Sequence, residues 1–213
     1  MNILILGAAG KIAQLVREKL LKSTDYSLTL FAREAHQRIK IENSLRETIV
    51  EGDFKDISTL RKAMENQDLV FVATMENVEA MENIVQAMSE NEIDKLIGIG
   101  SLGIYNELPE SFNHWNRKTL GSILDRTKEA VDYVDNRTDI DSVILRPAWL
   151  YNEAGNEKYE ITQKGELFKG TQVTREAVAH LVLEIIKNFE KYKNQNIGVS
   201  EPNTDGDQPL FLQ

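Results

Sequence analysis

The sequence predicts an α/β protein built on a doubly wound parallel sheet. Three observations carry that expectation. Seven short apolar runs recur along the 213 residues, and most are continuous rather than alternating. Amphipathic stretches with helical spacing separate many of them. A glycine-containing turn follows the first run directly. Continuous hydrophobicity is what a strand covered on both faces needs. Repeated strand–helix–strand order implies parallel strands joined by right-handed crossovers.

The runs are "ILIL" (3–6), "YSLTLFA" (26–32), "ETIV" (47–50), "DLVFVA" (68–73), "KLIGIG" (95–100), "SVILR" (142–146) and "NIGV" (196–199). Ile12, Leu15, Val16 and Leu20 form one helical stripe, and Val78, Met81, Val85 and Met88 a second. Leu120, Leu124, Thr127, Val131 and Val134 form a third, read as one long helix after a loop that contains "NHWN" (113–116). Ala177, Leu181 and Ile185 form a fourth, with Thr174 as its N-cap. Residues 151–172 are polar and contain glycine, so they are expected as a substrate-side insertion above the strand ends. The tail after residue 200 reads as loop.

Length and a 41% hydrophobic content fit a single domain over residues 1–213 with a full core. The chain has no cysteine, which excludes disulfides and thiolate metal sites. A net charge of -9 repels phosphate backbones, so no nucleic-acid partner is expected. Local cations can still hold a single phosphate ester. No apolar run approaches the about 20 residues that span a bilayer, so no membrane partner is expected. The opening apolar core covers only residues 3–6 with no basic residue before it. That argues against export and for a cytoplasmic protein.

The turn reads "GAAGKIA" over residues 7–13. Gly7 suits positive φ, Gly10 lets a helix N-terminus approach a pyrophosphate, and Ala13 is small enough for the helix to pack on the strand. The free N–H groups and the positive end of the helix dipole then attract phosphate. Arg33 at the end of the second strand points to NADP(H), whose 2′-phosphate needs a cation there; NAD(H) stays possible. Glu34 follows, so Arg33 is alternatively a surface arginine paired with it. Lys11 adds a second cation near the phosphates. After the third strand, Asp53 reads either as an acceptor for the adenine amino group or as a turn residue, and Phe54 as a flank to the ring.

Taken together, "GAAGKIA" (7–13), "FAR" (31–33), "GDF" (52–54), "VFVAT" (70–74), "IGIGSLGIY" (97–105), "TKEAVDYV" (127–134), "VILRPAWL" (143–150) and "VTREAVAHLVLEII" (173–186) resemble the atypical short-chain dehydrogenase/reductases. The nearest branch is the NAD(P)H-binding, NmrA-like group with its flavin-reductase-like proteins. The resemblance implies an NAD(P)-binding Rossmann fold with the cofactor across the strand ends. Gly7, Ala9, Gly10, Lys11 and Ile12 would meet the phosphates, and Ala73 and Thr74 the adenosine side. Ser101 would sit near the nicotinamide, and Pro147, Ala148, Trp149 and Leu150 would wrap it.

One departure from that group bears on the reaction. Reductases of the usual short-chain type carry Tyr-x-x-x-Lys, in which the tyrosine protonates the alkoxide. Here Lys128 is present, but Leu124 stands four residues earlier and cannot transfer a proton. Tyr105 and Tyr133 are the substitutes considered, with Tyr105 the candidate in the loop. Reducing a carbonyl needs a positioned acid. A flavin or quinone needs it far less, because its conjugated ring delocalises the charge. The expected partner is therefore a planar small-molecule acceptor, with Ser101, Lys128 and Tyr105 as candidate catalytic residues. The alternative is a dinucleotide-binding redox sensor that performs no chemistry.

His36, His114 and His180 do not cluster, and His180 with Glu176 and Glu184 reads as a solvated charged face rather than a metal site. Trp115 is expected to pack its loop down, or to stack on a planar substrate, and Trp149 is the better placed of the two tryptophans. Met75 and Met81 read as core or pocket wall.

Overall fold

The computed structural model describes residues 1–212. The chain opens with β1 (Asn2–Leu6), α1 (Lys11–Ser23), β2 (Ser27–Ala32), the single-turn α2 (Ala35–Arg38) and β3 (Glu47–Glu51). It continues through α3 (Ile57–Ala63), β4 (Leu69–Val72), α4 (Val78–Glu90), β5 (Lys95–Ile99), α5 (Glu110–Leu120), α6 (Ser122–Asp135) and β6 (Asp141–Pro147). The last part holds β7 (Trp149–Tyr151), β8 (Glu160–Gln163), β9 (Gln172–Thr174), α7 (Arg175–Lys187), α8 (Phe189–Tyr192) and β10 (Gln195–Ser200). A 3-10 turn, Leu210–Leu212, follows.

Eight strands form the main sheet in the order β3-β2-β1-β4-β5-β6-β10-β8. Every pairing is parallel except that of β8 with β10. This is the doubly wound sheet the sequence predicts. Both faces of each central strand are covered. Ile3 and Ile5 of β1 join the core beneath α1 and α7, while Leu4 and Leu6 join the opposite core, to which α3, α4 and α6 contribute. Alternating residues of one continuous apolar run thus feed two cores, which is why the run does not alternate with polar residues. The chain runs outward from β1 in both directions, so the crevice between the carboxyl ends of β1 and β4 is the topological switch point where such sheets bind ligands.

Local chemistry sets the helix starts. Asn77 Oδ1 accepts the Ala80 N–H at 2.8 Å to begin α4, and Thr174 Oγ1 accepts the Ala177 N–H at 2.9 Å to begin α7.

The structure corrects two details of the sequence reading. The "NHWN" segment is not a loop but the middle of α5, and the expected long helix is broken at Gly121. Gly121 takes φ 54° and ψ -130°, a backbone state open to glycine, so Leu120 belongs to α5 and Leu124 to α6. His180 Nδ1 lies 3.0 Å from Glu157 Oε2, on the charged face expected there. Within residues 151–172, β8 returns to extend the main sheet as an antiparallel edge. β7 and β9 form a separate two-stranded parallel ribbon. No helix among the described residues is long and apolar enough to cross a membrane.

Candidate active site

The site begins at the turn after β1. Gly7 adopts φ 79°, which only glycine takes without strain. The N–H groups of Gly7 and Ala8 both donate to Phe31 O at 3.0 Å, and the Gly10 N–H closes the turn on Gly7 O at 2.9 Å. A Cβ on Gly10 would stand 3.2 Å from that same oxygen, so a side chain there would crowd the mouth of the turn. No side chain caps α1. Its first N–H groups therefore remain available at the positive end of the helix dipole.

A cavity of about 440 Å³ opens directly over this turn. Gly7, Ala9 and Gly10 line it from β1's end, Ala32 and Arg33 from β2's, and residues 52–55 from β3's. Thr74 and Asn77, after β4, complete the wall. Phe54 stacks on buried Phe31 with centroids 5.8 Å apart and planes 18° from parallel, so its ring is fixed before any ligand arrives. Gly52 is required beside that stack, since a Cβ would fall 2.5 Å from the Phe31 ring.

Three cations border the cavity: Arg33, Arg38 and Lys55. Arg33 is three-quarters exposed, with Nη1 3.8 Å from Asp53 Oδ2. Arg38 Nη1 donates to the Arg33 backbone carbonyl at 3.3 Å, which holds the Arg38 side chain against the end of β2. Asp53 Oδ1 accepts the Lys55 N–H at 2.9 Å, so Asp53 shapes its turn as well as facing Arg33. Glu34, the rival of Arg33, takes φ 51° at the start of α2 and does not line the cavity. Nor do Lys11, Ile12 or Ala73. Lys11 is exposed, Ile12 is buried in the core, and Ala73 packs beneath Gly7.

A second cavity, about 270 Å³, lies beyond the loop after β4, with Glu76 of that loop on its wall. Ser101 from β5's end, Thr127 of α6 and residues 147–150 line it. The Trp149 indole N–H donates to Asn116 Oδ1 at 2.9 Å, and Trp115 meets the Trp149 ring edge-on at 4.9 Å. Trp115 also stacks on Phe112 of its own helix and does not line this cavity, whereas Trp149 does. The structure therefore brings Ser101, Pro147, Ala148, Trp149 and Leu150 together.

It does not bring Lys128 or Tyr105 there. Lys128 pairs with Asp132 one turn along α6. The Tyr105 hydroxyl donates to Asp132 Oδ1 at 2.7 Å and accepts from Asn196 at 3.3 Å, with Lys164 4.4 Å from its ring. Burial, reinforced by the Asp132 carboxylate, holds the Tyr105 phenol far above its ordinary range. That phenol anchors the loop after β5 to α6 and β10; it is not set up to release a proton. Leu124 is buried in the core and faces neither cavity. Tyr133 lies against Arg137.

Arg38, Lys55, Glu76, Asn77 and Thr127 were not picked out as site residues in the sequence. Asn77 carried a readable signal, an N-cap residue just before the Val78 stripe. Arg38 follows Arg33 by five residues, and only the turn of α2 brings it back to the cavity.

A turn that a Cβ would fill, an uncapped helix N-terminus and a rim of cations together fit a dinucleotide with its phosphates at the turn. The fold and site define the class as a dinucleotide-binding protein of the Rossmann type. A family model described as NAD(P)H-binding matches residues 7–189. A short-chain dehydrogenase/reductase from Veillonella parvula DSM 2008, solved in complex with NADP, is 35% identical with a TM-score of 0.95, covering 99% of each chain. A Rossmann-fold NAD(P)-binding family protein from Shigella flexneri is 34% identical, with a TM-score of 0.82 over 99% of this chain and 98% of that one. ChuY of Escherichia coli O157:H7, described as an anaerobilin reductase, shares the fold at 19% identity and a TM-score of 0.78, over 97% of this chain and all of its own. No curated protein matches significantly. The chain belongs to the NAD(P)H-binding oxidoreductase family of short-chain dehydrogenase/reductase type.

Proposed function

We propose that this protein uses NADPH to reduce a planar, conjugated acceptor of the flavin or quinone kind. The observation that carries the reading is the wall of the second cavity. Among the described residues it offers the hydroxyls of Ser101 and Thr127, the Trp149 ring and, at its exposed edge, the Glu76 carboxyl, but no phenol and no ammonium group. A carbonyl substrate would need a positioned acid as its oxygen gains charge. A conjugated ring takes hydride into a delocalised anion and draws its proton from solvent, so this wall suffices. The reduced nicotinamide supplies the hydride when bound.

The chain's own residues bind and orient. The α1 N-terminus and the turn N–H groups receive the pyrophosphate. Arg33, Arg38 and Lys55 surround the 2′-phosphate, and Phe54 with Asp53 flanks the adenine. Residues 147–150 and Ser101 position the nicotinamide, and Trp149 forms a flat apolar wall for the acceptor and keeps water from that face. The work would be done in the cytoplasm, with no nucleic acid or membrane involved.

The test is NADPH oxidation followed by absorbance with riboflavin, FMN and menadione set against a panel of aldehydes and ketones. Turnover with the first group and none with the second supports the reading. Carbonyl reduction at comparable rates overturns the choice of acceptor. NADPH binding with no turnover across either group favours a redox sensor.

A further inference from the structure

We propose that the Thr127 hydroxyl is a hydrogen-bonding contact for the carboxamide of the nicotinamide. This rests on the reading of the second cavity as the nicotinamide subsite. A threonine inside a helix ordinarily returns its hydroxyl to a carbonyl three or four residues back. Thr119 in α5 does so, donating to Trp115 O at 2.8 Å. Thr127 does not. Its side chain is 1% exposed and its Oγ1 has no hydrogen-bond partner among the described residues. A buried hydroxyl left unpaired destabilises the fold.

Thr127 sits on the buried face of α6 with Leu124, Ala130 and Val131, where a valine would pack as well. Yet Thr127 also lines the second cavity. The other polar side chains of that wall are engaged or exposed. Ser101 Oγ lies 3.4 Å from Leu102 O, the Trp149 indole N–H is held by Asn116, and Glu76 is on the outside. The remaining buried polar atom is a neutral hydroxyl, able to donate or accept. Its complement is a neutral group that does both, and the carboxamide is the part of the cofactor's redox end with that character. A phosphate would instead seek the cations, which lie at the first cavity.

Equilibrium titrations of NADPH and of 2′-phospho-ADP-ribose, which lacks the nicotinamide, test this on the intact chain. Thr127→Val should weaken NADPH about three- to tenfold, the worth of one neutral hydrogen bond, and leave 2′-phospho-ADP-ribose unchanged. Thr127→Ser should restore the unmodified NADPH affinity. The ligand-free Thr127→Val protein should melt no lower than the unmodified one, since it loses an unpaired hydroxyl. Thr127→Ala should weaken NADPH selectively as well, which covers the case of a poorly folded valine variant. Unchanged NADPH affinity in the valine and alanine variants, equal weakening of both ligands, or failure of the serine to rescue would overturn the assignment. If the unmodified protein binds 2′-phospho-ADP-ribose but not NADPH, the nicotinamide subsite itself is wrong. A neutral Thr127→Val in a protein that binds both removes only the role of Thr127.

Discussion

On the proposed reading, Arg33 and Arg38 are the side chains that set cofactor choice. Both border the adenosine cavity, and a guanidinium meets a phosphate through parallel charge-assisted bonds. Arg33 is largely exposed, so solvent weakens the contact below that of a buried pair. Arg33→Ala and Arg38→Ala should each weaken NADPH binding about tenfold and leave NADH nearly unchanged, because NADH has no 2′-phosphate. Titrations of both cofactors decide this; a loss confined to Glu34→Ala with NADH would assign the ribose contact to Glu34 instead. At Tyr105 the expectation is the opposite. Its hydroxyl is committed to Asp132 and Asn196. Tyr105→Phe should therefore leave NADPH turnover within about twofold of the unmodified protein and cost about 1 kcal/mol of stability, read by denaturant unfolding. A large loss of kcat with normal stability would return Tyr105 to the chemistry.

At the scale of elements, the rotation of α6 decides which of its side chains line the second cavity. Leu124 occupies the position four before Lys128, yet that face of the helix is pressed into the core. Leu124→Tyr should overpack the core and cost about 1–3 kcal/mol, with no gain of aldehyde reduction. Gain of such activity at unchanged melting temperature would show that α6 presents this position to the site. On the other side of the sheet, Arg17 of α1 clamps β3 through Glu47. Both carboxylate oxygens are bonded by the guanidinium, and Glu42 and Asn43 each donate an N–H to Glu47 Oε2 at 2.8 Å. Burial pushes the Glu47 carboxyl up, but the bond from Arg17 and these two N–H groups outweigh it and hold the carboxyl below the ordinary glutamate range. A depressed carboxylate contributes stability that is fully present above its unfolded pKa and is lost as pH falls through the folded one. Glu47→Gln should cost about 3 kcal/mol near neutrality. The gap to the unmodified protein should narrow as pH drops below the ordinary glutamate range, as followed by thermal melts across an acid series. A gap independent of pH would mean that Glu47 acts through packing alone.

At the scale of the molecule, the proposed placement lays the cofactor across strands from both halves of the sheet. The adenosine cavity draws on the ends of β1, β2, β3 and β4, and the second cavity on those of β5 and β6. A ligand that spans both ties the halves together and binds only the folded chain. NADP⁺ at a hundred times its dissociation constant should add about 2.7 kcal/mol. For a chain of this length that raises the melting temperature by about 5–10 °C. NAD⁺ at the same concentration should raise it less. Equal shifts from the two cofactors would refute the proposed preference for NADP(H).

Part of this protein is determined by its sequence alone. A strand buried on both faces is apolar along most of its length, so β1, β2, β4, β5 and β6 announce themselves, and their alternation with helical stripes leaves little choice but a doubly wound sheet. The turn after β1 is legible because positive φ at Gly7 and the close approach at Gly10 restrict residue types at fixed spacing. Other features depend on contacts between residues far apart in the chain. Whether Leu124 faces cofactor or core is set by the rotation of α6, and Gly121 resets that rotation by breaking the helix. The same break places Thr127 on the wall of a cavity. Lys128 is instead turned toward Asp132. Arg38 joins Arg33 only because α2 is a single turn, and β8 becomes a sheet edge only because β10 offers it an unpaired flank. Local spacing encodes strands, helices and turns, because those are settled by neighbours in the chain. The direction in which a helix points its side chains is settled by the packing around it, and that exists only in the folded molecule.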